Sequence, residues 1–231
     1  MPEFFFKRML LSLFFLATVF SLAGQTDSVL ITKNFDFQDG IYLSFESFQS
    51  NQPDILWDEV EATVFTNPKT HLTQIADIVR LDSTGNRVLL EPQNFWGVCL
   101  DGIPSIGLPK TAVQKEFATF AALRLRGKIC YFSYETTEIR NIEMSAYNPR
   151  TGRPFRTGIV QREAQVTQEK MLHYQTGEIQ DFTLHNFINW IPDDPGLKES
   201  VLELGPDEAH EKLFRCLLIY VDRNPVYTYK S

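Results

Sequence analysis

An α+β fold, an antiparallel β-sheet or partly open barrel with C-terminal helices packed on it, is what this sequence predicts. Three observations carry the prediction. Apolar strand patterns meeting at turn dipeptides crowd the middle of the chain between Phe95 and Glu135. A further hairpin signal lies upstream, around the cluster Asp82 to Asn86. From Asp181 onward the punctuation changes to helix caps and prolines.

The chain opens with Lys7-Arg8 and the uncharged run MLLSLFFLATVFSLA, followed by Gly24-Gln25-Thr26. A basic n-region, an apolar h-region and a small-residue exit form the layout of a cleavable signal peptide, here residues 1–23. The run falls short of the roughly twenty residues a membrane span needs. No cysteine follows it, so a lipid-modified anchor is not expected. Without Glu3, Lys7 and Arg8 the chain keeps 20 basic and 28 acidic side chains out of 22 and 29. An acidic exported domain is a poor match for nucleic acid, and no transmembrane span is expected after cleavage. The expected organisation is a β-rich region over 24–180 and a helical region over 181–231 packed on the same domain.

Residues 25–38 read as an extended lead-in. After the Asp39-Gly40 turn, Ile41, Leu43 and Phe45 alternate with Tyr42, Ser44 and Glu46, the period of a half-buried strand. EATVFT reads as a strand closed by Asn67-Pro68. Thr73–Arg80 fits helix or strand by itself, but the turn cluster after it and the RVLLEP that follows make a hairpin.

The centre holds two more hairpins. In FWGVCLDGIPSIG, Asp101-Gly102 tolerates positive φ and folds Ile103 back on Leu100. Pro104 lacks an N–H, which predicts a peripheral or irregular return strand. In FATFAALRLRGKICYFSYE, a two-residue loop at Arg126-Gly127 sets Leu125 opposite Lys128, Arg124 opposite Ile129, Leu123 opposite Cys130 and Ala121 opposite Phe132. That gives one solidly apolar face.

From Thr136 the pattern thins, and YNPRTGRPFRTG reads as a loop. Arg150, Arg153 and Arg156 make it a candidate partner-binding loop; the plainer reading is a solvated connector. Gln161–His173 shows no clean period. Beyond it, Thr183 caps a short helix over LHNFINWI with Phe182 stapling onto Phe187, and Pro192 ends it. Asp194 caps a second helix with Pro195 in its first position and Leu197, Val201 and Leu204 on one stripe. A third runs from about Pro206 to Arg223, stopped by Asn224-Pro225. Its half LFRCLLIYV is apolar nearly all round, which predicts full burial against the sheet.

The cysteines, Cys99, Cys130 and Cys216, are odd in number, so at least one stays unpaired. Cys99 and Cys130 sit in the two central hairpins and either bridge or remain small buried thiols, the latter being preferred. No catalytic, cofactor or metal residues are assigned. His71, His173, His185 and His210 lack zinc spacing, and the position four on from His210 is Phe214. Ser105 lacks the flanking glycine of a nucleophile elbow, because Ile103 stands there. Asp58-Glu59 and Asp193-Asp194 are neighbours in sequence, which does not supply the separation that glycoside hydrolysis needs. Trp57, Trp96 and Trp190 sit at core spacing.

Taken together, GIYLSFESFQSNQP, FWGVCLDGIPSI, DDPGLKESVLEL and KLFRCLLIYVDRNPVY make the chain resemble a family of uncharacterised exported bacterial proteins. The resemblance implies export and a shared fold, and it implies no activity, ligand or site residue. The expected function is a non-enzymatic binding or structural module, periplasmic, outer-envelope-associated or secreted, with an envelope protein or polysaccharide as partner. The competing reading is a hydrolase acting on cell-envelope polymers; a component of a surface assembly, marked by an exposed apolar patch or an unprotected strand edge, is the third.

Overall fold

Every strand pair among the described residues is antiparallel. The structure, a computed structural model, describes residues 28–81, 84–110 and 117–229, apart from the side chains of 206–210; the expected signal segment, residues 1–23, lies outside them. In chain order the elements are β1 (Ser28–Leu30), β2 (Gly40–Tyr42), α1 (Phe45–Gln49), β3 (Val60–Thr66), β4 (Leu72–Leu81), β5 (Arg87–Leu89), β6 (Gly97–Leu100), β7 (Ile103–Gly107), β8 (Ala118–Ala122), β9 (Ile129–Tyr147), β10 (Pro154–His173), β11 (Ile179–Asp181), α2 (Leu184–Trp190), α3 (Pro195–Leu202), α4 (Pro206–Arg223) and β12 (Tyr227–Tyr229).

A curled sheet in the order β2-β6-β7-β8-β4-β3, with β5 beside β4, forms the first layer. A second sheet, β11-β10-β9, lies over it, and a two-stranded pairing of β1 with β12 joins the two ends of the described chain. The C-terminal helices α2, α3 and α4 form the third layer, while α1 places Phe48 in the first core. Two hydrophobic cores separate these layers. Tyr42, Cys99, Ile106 and Ala121 of the large sheet meet Cys130, Phe132 and Leu172 of the second. Ile129, Tyr131 and Met171 point the other way, against Phe187, Val201, Leu217 and Tyr220 of the helices. Alternation along β9 thus plants consecutive residues in opposite cores, each buried large side chain contributing about 1.5–3 kcal/mol. A third cluster, with Ile75, Ile78, Val98 and Phe120, fills the far side of the large sheet.

The β6–β7 hairpin forms as the sequence predicts, with Leu100 opposite Ile103 and positive φ at Asp101 (52°) and Gly102 (71°). A Cβ on Gly102 would lie 2.9 Å from Asp36, so the turn is closed to larger residues as well. Pro104 corrects the expectation of a peripheral strand. β7 lies between β6 and β8, and it is the last paired β8 residue, Ala122, that sits opposite Ser105. Pro104 falls just past that pair, where its carbonyl accepts from Leu123 N and no N–H is required.

The β8–β9 pairing is also corrected. Leu125 bridges Tyr131 rather than facing Lys128, and β8 and β9 belong to different sheets. Arg126 explains the wider loop: its guanidinium is buried and donates to the Phe35 carbonyl instead of lying at an exposed tip. The predicted apolar face survives, since Ala121, Leu123, Cys130 and Phe132 share one core.

Two further expectations change. The strand expected past Tyr42 ends there, because Ser44 caps α1: its hydroxyl accepts from Ser47 N, and the Ser47 hydroxyl answers the Ser44 N–H. Helix α4 buries Leu213, Leu217 and Tyr220 but leaves Phe214 and Leu218 40% and 38% exposed, so it is amphipathic and not buried all round. The other helix caps hold, whereas Leu204, expected on the apolar stripe of α3, lies beyond that helix's last residue, Leu202. Thr183 accepts from Asn186 N, the Phe182 and Phe187 rings meet edge to face at 6.1 Å, and Asp194 accepts from Leu197 N at 3.0 Å. Helices α2 and α3 end at Trp190 and Leu202, and α4 spans Pro206–Arg223.

Candidate functional site: a projecting two-stranded arm

The segment where the sequence pattern thins is a single long hairpin. β9 and β10 pair without interruption from Ile129 opposite His173 to Ala146 opposite Arg156, with a bulge at Phe155 before the last pair, Tyr147 and Pro154. Near its root the hairpin is covered on both faces; beyond Glu135 no described element lies over either face. Glu135 to Tyr147 spans roughly 40 Å at about 3.4 Å per residue. β11 reaches β10 only at Lys170–Leu172, so both edges of the outer arm are unpaired among the described residues.

This corrects the loop expected between Thr136 and Arg156. Only residues 148–153 form the tip. Asn148 organises it, its side-chain oxygen accepting from Arg150 N and its carbonyl from Gly152 N at 2.8 Å, with Gly152 at positive φ (64°). Arg150 and Arg153 stand in the tip and Arg156 in β10, all three exposed.

Cross-strand partners share a face, so the register sorts the arm into two surfaces. One carries, from root to tip, Arg140 with Arg162, Ile142 with Val160, Met144 with Gly158, and Ala146 with Arg156. It is an exposed apolar patch bracketed by arginines. The other mixes Asn141, Glu143, Ser145 and Thr157 with Ile139 and Ile159, the latter 74% exposed. Arg140 and Arg162 face each other as like charges; the nearest carboxylate, Glu138, reaches Arg140 at 3.8 Å. Sequence reading missed Arg140, Arg162, Ile142 and Val160. The run Met144 to Arg162, which holds four arginines and no acid, was a signal for Arg162 and Val160; Arg140 and Ile142 lie outside it and come to that face only through the strand pairing.

The residues weighed for chemistry are occupied in the body. Glu59 pairs with Arg80 at 2.7 Å, Asp194 caps α3 and meets Arg223 at 3.4 Å, and Ser105 is buried in β7. Trp57 donates to the Cys99 carbonyl, Trp96 packs on Phe48, and Trp190 stands edge to face with His173. All three cysteines are free, Cys99 and Cys130 buried; burial pushes the Cys130 thiol up to about 12.

One titratable cluster lies near the root. Asp193 accepts from Tyr220 at 2.7 Å and pairs with Lys128, whose ammonium lies 5.9 Å from the Tyr220 ring centre. Burial alone would raise the Asp193 carboxyl, but Lys128 and Tyr220 together hold it below the usual carboxylate range. Burial, and then the Lys128 charge, hold His173 below the usual imidazole range. A cavity of about 490 Å³ beside Phe95 and Phe120 has Lys110 as the one charged side chain among its described lining residues. Another, of about 530 Å³ beside Tyr174 and Tyr227, has Glu46 as its charged residue. Among the described residues neither brings two acids, or an acid and a histidine, together. Among the described residues no group of three or more His, Cys, Asp or Glu is placed to hold a metal, and no helix is long and apolar enough to cross a membrane.

Comparison with family models, with curated proteins and with solved structures finds no match for this chain. The arm's geometry and the chemistry of its surface therefore carry the functional reading.

Proposed function

We propose that this chain is an exported, non-enzymatic binding or assembly module that holds its partner through the arm. The observation that carries the reading is the arginine-bracketed apolar face of Ile142, Val160 and Met144, exposed on a ribbon that no other described residue covers. Two strands without a packed layer are marginal in water, so such an arm gains its stability when a partner closes over it. The basic, apolar and small-residue regions of residues 1–23 support export, which puts the partner in the periplasm, at the outer envelope or outside the cell.

The test removes the arm without touching the body. Glu135 and Thr167 face each other in register, so residues 136–166 are replaced by an Asn-Gly turn. The shortened chain is expected to keep the near-ultraviolet dichroism and cooperative melting of the body, and to lose any complex that the full chain is expected to form in envelope fractions. Retention of that complex by the armless chain overturns the reading.

A further inference from the structure

We infer that the arm's partner is a second copy of this chain, the arginine-bracketed face of one lying on the β3–β4–β5 corner of another. This rests on the arm being the binding element. A ribbon that is marginal when uncovered needs a partner present whenever the chain is, and another copy meets that condition.

Charge points the same way. The run Met144 to Arg162 carries four of the chain's 22 basic side chains and none of its 29 acidic ones, so the rest of the molecule holds 18 basic against 29 acidic. An anionic polymer or lipid surface that drew in the arm would repel this acid-rich body. A second copy offers the body itself as the complementary surface.

The corner supplies the matching patch. Glu61, Val79 and Leu89 lie in one cross-strand row, and Leu81 continues their face along β4. Leu89 is 67% and Leu81 56% exposed among the described residues. Phe65, opposite Gln74 further along β3, is 59% exposed. Among the described residues Glu61 pairs with Arg87, at 2.8 Å and with both side chains mostly exposed, a pairing worth little that an incoming arginine can replace. β3 is also the open edge of the large sheet, as the arm's strands are open at theirs. Arm and corner are different surfaces: reciprocal contacts about a two-fold axis close an isologous dimer, and one-way, heterologous contacts propagate a chain of subunits.

Sedimentation velocity on the purified full chain tests this, using two variants whose changes fall on exposed positions. One carries Ile142→Asp and Val160→Asp on the arm, the other Leu81→Asp and Leu89→Asp at the corner. The wild-type chain is expected to reach at least twice the protomer mass as concentration rises. Each variant alone stays a protomer or needs at least tenfold more protein to associate. Mixed together they restore association, because each supplies the half the other lacks. Salt near 1 M, where screening length falls to about 3 Å, weakens the wild-type complex. A wild-type chain that stays monomeric at every concentration overturns the inference, as does a corner variant that associates like wild type. Failure here is separable from failure of the arm's binding role. A monomer whose arm is still required for an envelope complex, or for binding anionic vesicles, sinks the self-association alone.

Discussion

Arg140 stands directly across from Arg162 in the register of the arm, like charge against like charge, with Ile142 and Val160 as the next pair toward the tip. In a sheet built only for its own stability this position would carry an opposite-charge or apolar pair. The opposition makes sense as a surface prepared for an anionic neighbour.

Arg162→Glu therefore separates binding from stability. A glutamate opposite Arg140 stabilises the isolated arm by about 0.2–1 kcal/mol, read as slower hydrogen exchange of the β9 and β10 amides. The same change weakens partner association. A merely structural arginine pair would move both readouts in one direction.

Gly127, in the loop that leads into β9, lies against helix α4. A Cβ there would lie 2.4 Å from Cγ1 of Val221, whose branched side chain has little freedom to retreat. Gly127→Ala is expected to cost about 1–3 kcal/mol by overpacking, measured as a lower urea midpoint. Adding Val221→Ala recovers part of that loss, and equal costs with and without it refute the contact.

His173 predicts a pH dependence. Its folded pKa lies below the usual value, so the unfolded chain binds a proton more readily. Stability is complete above about pH 6.5 and declines as pH falls below that, until the folded value is passed. His173→Gln removes this decline between pH 7.5 and 5 in melting temperature. Asp193, shifted down, acts in a separate window: its contribution is present above about pH 4 and is lost on further acidification.

Asp194 both caps α3 and pairs with Arg223, and the two roles differ in weight. Asp194→Ala is expected to cost about 0.5–2 kcal/mol through the lost cap, whereas Arg223→Ala, at an exposed pair, costs about 0–1 kcal/mol. Urea denaturation of both variants checks the order.

The legible parts of the fold are those with a local cause. Asp101-Gly102 turns because both residues accept positive φ, and Thr183, Asp194 and Pro195 announce their helices through caps. The register around Arg126 was not legible, because a long-range bond to Phe35 decides it. Leu43 and Phe45 read as strand by period, yet the Ser44–Ser47 capping box overrides a three-residue alternation. The arm was the least legible element. Period-two patterning is written by a core on one face, and from Thr137 to Arg162 no core writes it. The arginines at 150, 153 and 156 were visible as a cluster, while their continuation through Arg140 and Arg162 needed the pairing.

Tyr131 and Phe132, next to each other at the root of the arm, are anchored in separate cores, one against the helices and one against the large sheet. The ribbon is thus clamped on both sides like a beam set into a wall. Torque applied at its tip by a bound partner is delivered to both halves of the body at once, and the root yields only if both give way together.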